Sequence, residues 1–402
     1  MFDYSNQLKV DDKPLLKHIE LLAFDRSATG VGETKAINYI QEELRINKIN
    51  SLIEYFSWNS PIRLLMKTFY LMIIGYLLML RLVLVIVLFY FIKYLFNKTR
   101  SISFVQKENS KNLVSTIKAI NSANYRPVII FSAHYDSVSS RIPYRIQKVL
   151  LWIMRIVLLP YFSLIIFLSI WLSLNLLSIT QFNTIFVYLI TMVSLLGISV
   201  MVPFFLFLFT SSKSTGSIDN ASGVAILIEL AKILKEKPLE NHDVIFLWCG
   251  AEEWGLKGSK YYCKRHLKEL TQNYNLDKSI NINIDMVGTY IGLLNNAGFL
   301  RKKSINKDLN NLFKSSAEKL KIPLTLENKM IKLKSDYKSF HSFLNKSKSK
   351  FQVSCFHSDK DSIFIHSYQD TPDNCSDVVL NGCLNIIYST ILDLDVQLKS
   401  QS

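Results

Sequence analysis

The chain has 402 residues, 49% of them hydrophobic and 20% charged, enough to bury one large core or one core plus membrane segments. Its formal net charge is +15, carried mostly by lysines scattered through polar segments. The arginine and aromatic interleaving of a nucleic-acid reader is missing, so nucleic acid is excluded as an expected partner; a basic face toward a cytoplasmic leaflet accounts for the charge instead.

Residues 12–25 and 31–47 have the periodicity of amphipathic helices, with Ile37, Ile40 and Leu44 at helical spacing in the second. Residues 51–58 alternate as a strand. From 64 to 96 the chain is apolar except for Lys67, Arg81 and Lys93. As one helix that stretch would run about 50 Å, too long for a hydrocarbon core of roughly 30 Å, so a short pair or a re-entrant element is expected. Polar sequence follows, with LVSTIKAI as a candidate strand. Two further apolar blocks, 149–179 and 185–209, are joined by the uncharged turn SITQFN and form an expected membrane hairpin. The N-terminal MFDYSNQLKVDD opens polar and has no signal-peptide pattern, so insertion is expected to start from inside the chain. Cys249, Cys263, Cys355, Cys375 and Cys383 have no paired spacing and are expected as free thiols, with a Cys355–Cys375 bridge left open.

Elsewhere strands alternate with helices. PVIIFSA (127–133), DVIFLWC (243–249), INIDM (282–286) and FQVSCF (351–356) are short apolar runs suited to buried strands; 221–235, 256–270, 306–320 and 376–398 carry helical periodicity. The expected fold is α/β: a mixed, mostly parallel sheet with helices on both faces, plus inserted transmembrane helices. The expected organisation is a discontinuous catalytic domain over 1–60, 97–148 and 210–402. The hydrophobic insertion spans 61–96 and the transmembrane hairpin 149–209.

Polar residues that stand out lie just past the strands, where open α/β sheets place their sites. His134 and Asp136 stand two apart in AHYDS, so the carboxylate could hold the imidazole in one tautomer or help to orient the site. Asp219 opens a helix in a setting dense in Gly, Ser and Asn (STGSIDNASG). Glu252 and Glu253 are adjacent after an apolar strand, and would repel unless a cation takes one and a proton the other. Asp285 sits among Ile and Met in NINIDMVG and needs a partner. His366 precedes a proline turn in IHSYQDTPDN. Together they supply two histidines and three carboxylates for metal, with one acid to spare, a donor set suited to zinc and water activation.

In this order FSAHYDS, SIDNASGVA, GAEEWGLKGS, NIDMVG and IHSYQDTPDN resemble the motifs of the zinc aminopeptidase family that includes bacterial leucyl aminopeptidases, glutamate carboxypeptidase II and the glutaminyl cyclases. The resemblance covers most of 10–60 and 100–398. It implies two zinc ions per chain with His134, Glu253, Asp285 and His366 as terminal ligands. Asp219 would be the bridging ligand, followed by a cis peptide to Asn220. Glu252 would be the general base and Asp136 the supporting acid. The chain departs from the pattern at SDYKSF, where Tyr337 stands in place of a frequent histidine. The implied activity is hydrolysis of N-terminal residues from peptides. A glutaminyl cyclase-like acyltransferase and a non-catalytic membrane receptor or scaffold are the alternatives. With a peptide substrate and the lipid bilayer as partners, the chain is expected to be a multi-pass membrane protein. Arg63, Lys98, Arg100, Arg141, Arg145, Lys148 and Lys213 flank the apolar blocks and orient its catalytic domain toward the cytoplasm.

Overall fold

Three short apolar runs become the centre of the sheet because both of their faces are covered. In the computed structural model β3 (Val128–His134), β4 (Asp243–Cys249) and β5 (Ile280–Ile284) are buried at every position. Each Ile, Val, Leu or Phe removed from water there contributes about 1.5–3 kcal/mol. The structure describes residues 13–59, 107–122, 125–139, 214–297, 303–304, 306–329 and 334–399, together with Val149, Trp152, Ile156 and Met192. The expected membrane segments at 61–96 and 149–209 lie outside the described residues, apart from those four positions.

In chain order the described elements are α1 (Pro14–Leu21), α2 (Val31–Ile46), β1 (Ser51–Asn59), β2 (Lys107–Ile117), β3, α3 (Ser222–Glu236), β4, α4 (Lys257–Asn273), β5, β6 (Gly292–Ala297), β7 (Lys303–Ser304), α5 (Lys307–Leu320), β8 (Thr325–Lys329), α6 (Tyr337–Ser347), β9 (Gln352–Phe356) and α7 (Asp377–Lys399). The strands form one sheet in the order β1-β2-β4-β3-β5-β9-β6-β7, with β8 paired to β6. Its centre β4-β3-β5-β9 is parallel, whereas β2 joins β4 and β6 joins β9 antiparallel. The architecture is therefore the mixed, mostly parallel α/β sheet read from the sequence. The hairpin-like additions β6, β7 and β8 carry polar runs such as GLLNNA and TLENK that gave no strand signal.

The chain divides into two units by its contacts. One comprises Met1–Phe56, Asn109–Ser140 and Ser211–Ser402; the other comprises Ser57–Glu108 and Arg141–Thr210. In the first, Phe131 of β3 stacks on Phe246 of β4, which stacks in turn on Trp248 along the same strand. Among the described residues one helix, Asp377–Leu398, is long and apolar enough to cross a membrane, but half of it is buried inside the protein. Leu380, Cys383, Ile387 and Ile391 make its inward stripe, and it packs on α3 and α5, so it serves the fold as a core helix. Asp395 near its end accepts hydrogen bonds from the backbone N–H groups of Glu240, Asn241 and His242 and pairs with His242 Nδ1 at 2.8 Å. All five cysteines are free and buried, which closes the question of a Cys355–Cys375 bridge.

Candidate metal centre

Parallel register brings the polar residues past the strand ends into one place. His134, the last residue of β3, pairs with Cys249 at the end of β4, and Glu252 and Glu253 follow three and four residues later. Ser132 pairs with Asn283 of β5, so two residues further along His134 is level with Asp285. The backbone N–H of Asp285 donates to Phe356 O of β9 at 3.0 Å, which fixes it against the strand that precedes the His366 loop.

The side chains converge as two overlapping triads. His134, Asp219 and Asp285 form one, and Asp219, Glu253 and His366 the other, each with its donor atoms within 4.8 Å of one another. His134 Nε2 lies 3.0 Å from Asp219 Oδ1 and 3.4 Å from Asp285 Oδ1. His366 Nε2 lies 3.3 Å from Asp219 Oδ2 and 2.9 Å from Glu253 Oε1. Asp219 thus gives one oxygen to each side. The peptide between Asp219 and Asn220 is cis, the isomer that the family resemblance implies.

Main-chain hydrogen bonds hold the donors in place. His134 Nδ1–H donates to the carbonyl of Asp136 at 3.0 Å; a carbonyl can only accept, so this fixes the tautomer that leaves Nε2 free. Of the two roles open to the Asp136 carboxylate, holding the ring falls to the main chain, because its oxygen is 3.7 Å from the ring nitrogen. The carboxylate instead accepts the backbone N–H groups of Glu252 (2.9 Å) and Glu253 (3.2 Å). Orienting a ring needs only one acceptor, and the main chain supplies it; the buried acid is left to dock the paired-glutamate loop. Asn220 clasps Asp285 from both sides, donating to Ile284 O at 2.9 Å and accepting from Met286 N–H at 3.2 Å. Asp370 Oδ1 accepts from Ile218 N–H at 2.6 Å, tying the Asp219 loop to the His366 loop.

The electrostatics ask for positive charge. Burial works against ionising Asp219, yet hydrogen bonds from His134 and His366 hold its carboxyl well below the usual range. Burial likewise disfavours the charged rings, but the carboxylates around them win: His134 is pushed well above its ordinary value, and His366 up to about 10. Each imidazole therefore carries a proton where the carboxylates demand a cation, and a divalent ion at either triad displaces such protons. Burial pushes Glu252 well above the carboxylate range, opposed by His134 and reinforced by Glu253, Asp336 and Asp285. Two imidazole nitrogens and three carboxylates, preassembled with His134, Asp219 and Asp285 buried and Glu253 and His366 partly so, fit zinc.

All seven residues singled out in the sequence come together here. Three others belong beside them. Asp336, just before α6, is wholly buried, and burial pushes it up to about 6. Asp370 is raised to about 7, again by burial. Arg26 is fully buried between α1 and α2. Asp336 and Asp370 lie inside segments already quoted, SDYKSF and IHSYQDTPDN, but a short acid in a turn or before a helix reads as a cap.

Fold and site together define an α/β protein with a paired metal-ligand cluster at the carboxyl ends of its parallel strands. The model of Peptidase family M28 matches residues 202–391 of this chain. Aminopeptidase YwaD of Bacillus subtilis (strain 168) is 42% identical over 78 residues, 19% of this chain and 16% of that protein's length. Among solved structures, an aminopeptidase from Aneurinibacillus sp. strain AM-1 superposes with a TM-score of 0.54 at 15% identity, covering 94% of this chain and 93% of that one. A zinc aminopeptidase from Bacillus subtilis gives 0.53 at 13% identity over 95% and 94% of the two chains. Fimbriiglobus ruber glutaminyl cyclase gives 0.55 at 13% identity over 98% and 97%. At these identities the likeness is one of fold.

Proposed function

We propose that the chain is a membrane-attached zinc aminopeptidase. It removes N-terminal residues from peptides, with one zinc ion held by His134 and Asp285, a second by His366 and Glu253, and Asp219 shared between them. The observation that carries this reading is the doubled triad around a single carboxylate. When bound, the metal pair supplies Lewis-acid polarisation of the scissile carbonyl and a water acidic enough to react near neutral pH. Glu252 accepts the proton of the attacking water and returns it to the leaving amine. Asp136 sets the position of Glu252 through the backbone N–H it holds. The acid-rich surroundings favour a substrate ammonium over a terminal carboxylate. Arg26, the arginine that couples to the cluster, makes five side-chain hydrogen bonds to main-chain carbonyls and so is not placed to bind a carboxylate.

Metal analysis of the detergent-purified chain, with a panel of aminoacyl fluorogenic substrates, tests this. The expected result is about two zinc ions per chain and hydrolysis that stops on chelation or on acetylating the substrate amine. One zinc with ammonia release from N-terminal glutamine would replace the reading with the cyclase, and no metal with no turnover would replace it with a receptor or scaffold.

Membrane attachment is supported by the apolar runs at 64–96, 149–179 and 185–209. Val149, Trp152 and Ile156 fall at i, i+3 and i+7 in helix and expose their side chains, as does Met192, a pattern that suits lipid contact. The basic flanks favour a cytoplasmic catalytic domain. Protease added to right-side-out cells is expected to leave a C-terminal tag intact and to remove it in inverted vesicles. The opposite pattern reverses the orientation.

A further inference from the structure

The chain leaves the metal centre after Asp136 and returns to it before Asp219, with residues 140–213 in between. The two segments are thus far apart in sequence, and the spacing between His134 and Asp219 depends on contacts made between them. We propose that Arg26 sets it: a positioning residue whose guanidinium clamps the outgoing and returning strands of the chain and so holds the two halves of the metal centre in register. This rests on the metal-centre reading and adds a residue that lies outside the M28 match.

Arg26 Nε donates to the carbonyl of Tyr135, the residue between His134 and Asp136, at 2.8 Å. On the far side of the same planar group, Nη1 donates to Thr215 O and Nη2 to Gly216 O, both at 2.7 Å. Nη1 also reaches Leu22 O, and Phe24 O at 3.3 Å, anchoring the clamp to the end of α1. Its own backbone is tied in, with Arg26 N–H donating to Ser137 Oγ at 3.0 Å and Ser137 N–H returning to Arg26 O at 3.3 Å. The two segments also meet directly where Ser214 N–H donates to Ser139 Oγ at 3.1 Å.

Gly216 is shaped for this contact. Its φ is +62°, and a Cβ there would stand 2.5 Å from Ser137 Cβ and 2.8 Å from Arg26 Nη2, so any side chain would push the clamp open. Its carbonyl also accepts Ala221 N–H at 3.0 Å, which passes the constraint across the turn that carries Asp219. Burying a guanidinium is costly unless its donors are met. A rigid fork with donors on two sides can hold carbonyls of two segments at once, whereas lysine offers its donors from a single point.

The test compares Arg26→Lys with His242→Asn in the full-length, detergent-purified chain. His242 and Asp395 form a buried pair at the opposite end of β4 from the ligands, so its loss weakens the fold away from the site. Zinc affinity is measured by competition with a chromogenic chelator, the visible spectrum is recorded after cobalt substitution, and Tm is recorded for each. Arg26→Lys is expected to bind zinc at least about tenfold more weakly, as loss of supporting partners does elsewhere, with an altered cobalt spectrum. His242→Asn is expected to lower Tm and leave both metal readouts unchanged. Wild-type affinity and spectrum in Arg26→Lys, or the same changes in His242→Asn, overturn the proposal. Should Arg26→Lys fail to fold, Ser137→Ala removes one hydrogen bond of the clamp, and unchanged zinc affinity there overturns it equally. A wild-type chain that binds neither metal defeats the metal reading itself, a separate outcome.

Discussion

Glu252→Gln is expected to lower kcat by about 10²–10⁴-fold, the range a positioned general base supplies, while zinc content stays at the wild-type level. The substitution removes a proton acceptor and little else. The loop is held through Glu252's backbone, whose N–H is fixed by Asp136 and whose carbonyl accepts Gly255 and Leu256 N–H groups, both at 2.7 Å. A glutamine of the same shape keeps those bonds. Because Glu252 is in neither triad, the metal should be bound as before. Single-turnover hydrolysis beside metal analysis is the measurement. Full activity in Glu252→Gln would remove the assignment, and loss of zinc along with activity would make Glu252 a ligand instead.

The site was legible in the sequence where a functional residue interrupts a strong local pattern. Asp285 after ININI and Glu252–Glu253 after DVIFLWC end fully buried strands, where an unpartnered acid is costly, so their presence signalled a partner. The central strands were legible for the same reason, since a run covered on both faces is apolar throughout. Legibility failed where long-range contacts alone decide burial. Arg26 stands in AFDRSATG, which reads as a solvated loop, and its acceptors at Tyr135, Thr215 and Gly216 are over a hundred residues away. The β6–β8 addition failed differently: Asn295, Asn296 and TLENK give it a polar sequence, and pairing of β6 to β8 and to β9 makes it part of the sheet. The Asp136 carboxylate shows the limit of spacing arguments. Two residues apart on a strand puts it beside His134, but which of its neighbours it bonds depends on a loop that arrives from residue 250 onward.

Asp219→Ala is expected to empty both metal positions, where loss of a terminal ligand should weaken chiefly one. Asp219 Oδ1 lies against His134 and Oδ2 against His366, and it is the one residue common to both triads. Removing it takes a carboxylate oxygen from each position and leaves two neighbouring cations without the negative charge between them. Each effect opposes occupancy of the second position once the first is filled. The expected zinc content after dialysis is near zero, from about two in the wild type. His134→Ala and His366→Ala should each retain one ion, on the side of the remaining histidine. The affinity loss in Asp219→Ala should exceed the roughly 10–100-fold that follows loss of a supporting residue. The fold is expected to survive, because Asn220 still joins the loop to Ile284 and Met286, and Asp370 still holds Ile218 N–H. Titrating apo protein with zinc in a calorimeter separates the cases. Two sites of near wild-type affinity in Asp219→Ala would break the bridging assignment, and one retained site would assign Asp219 to a single ion.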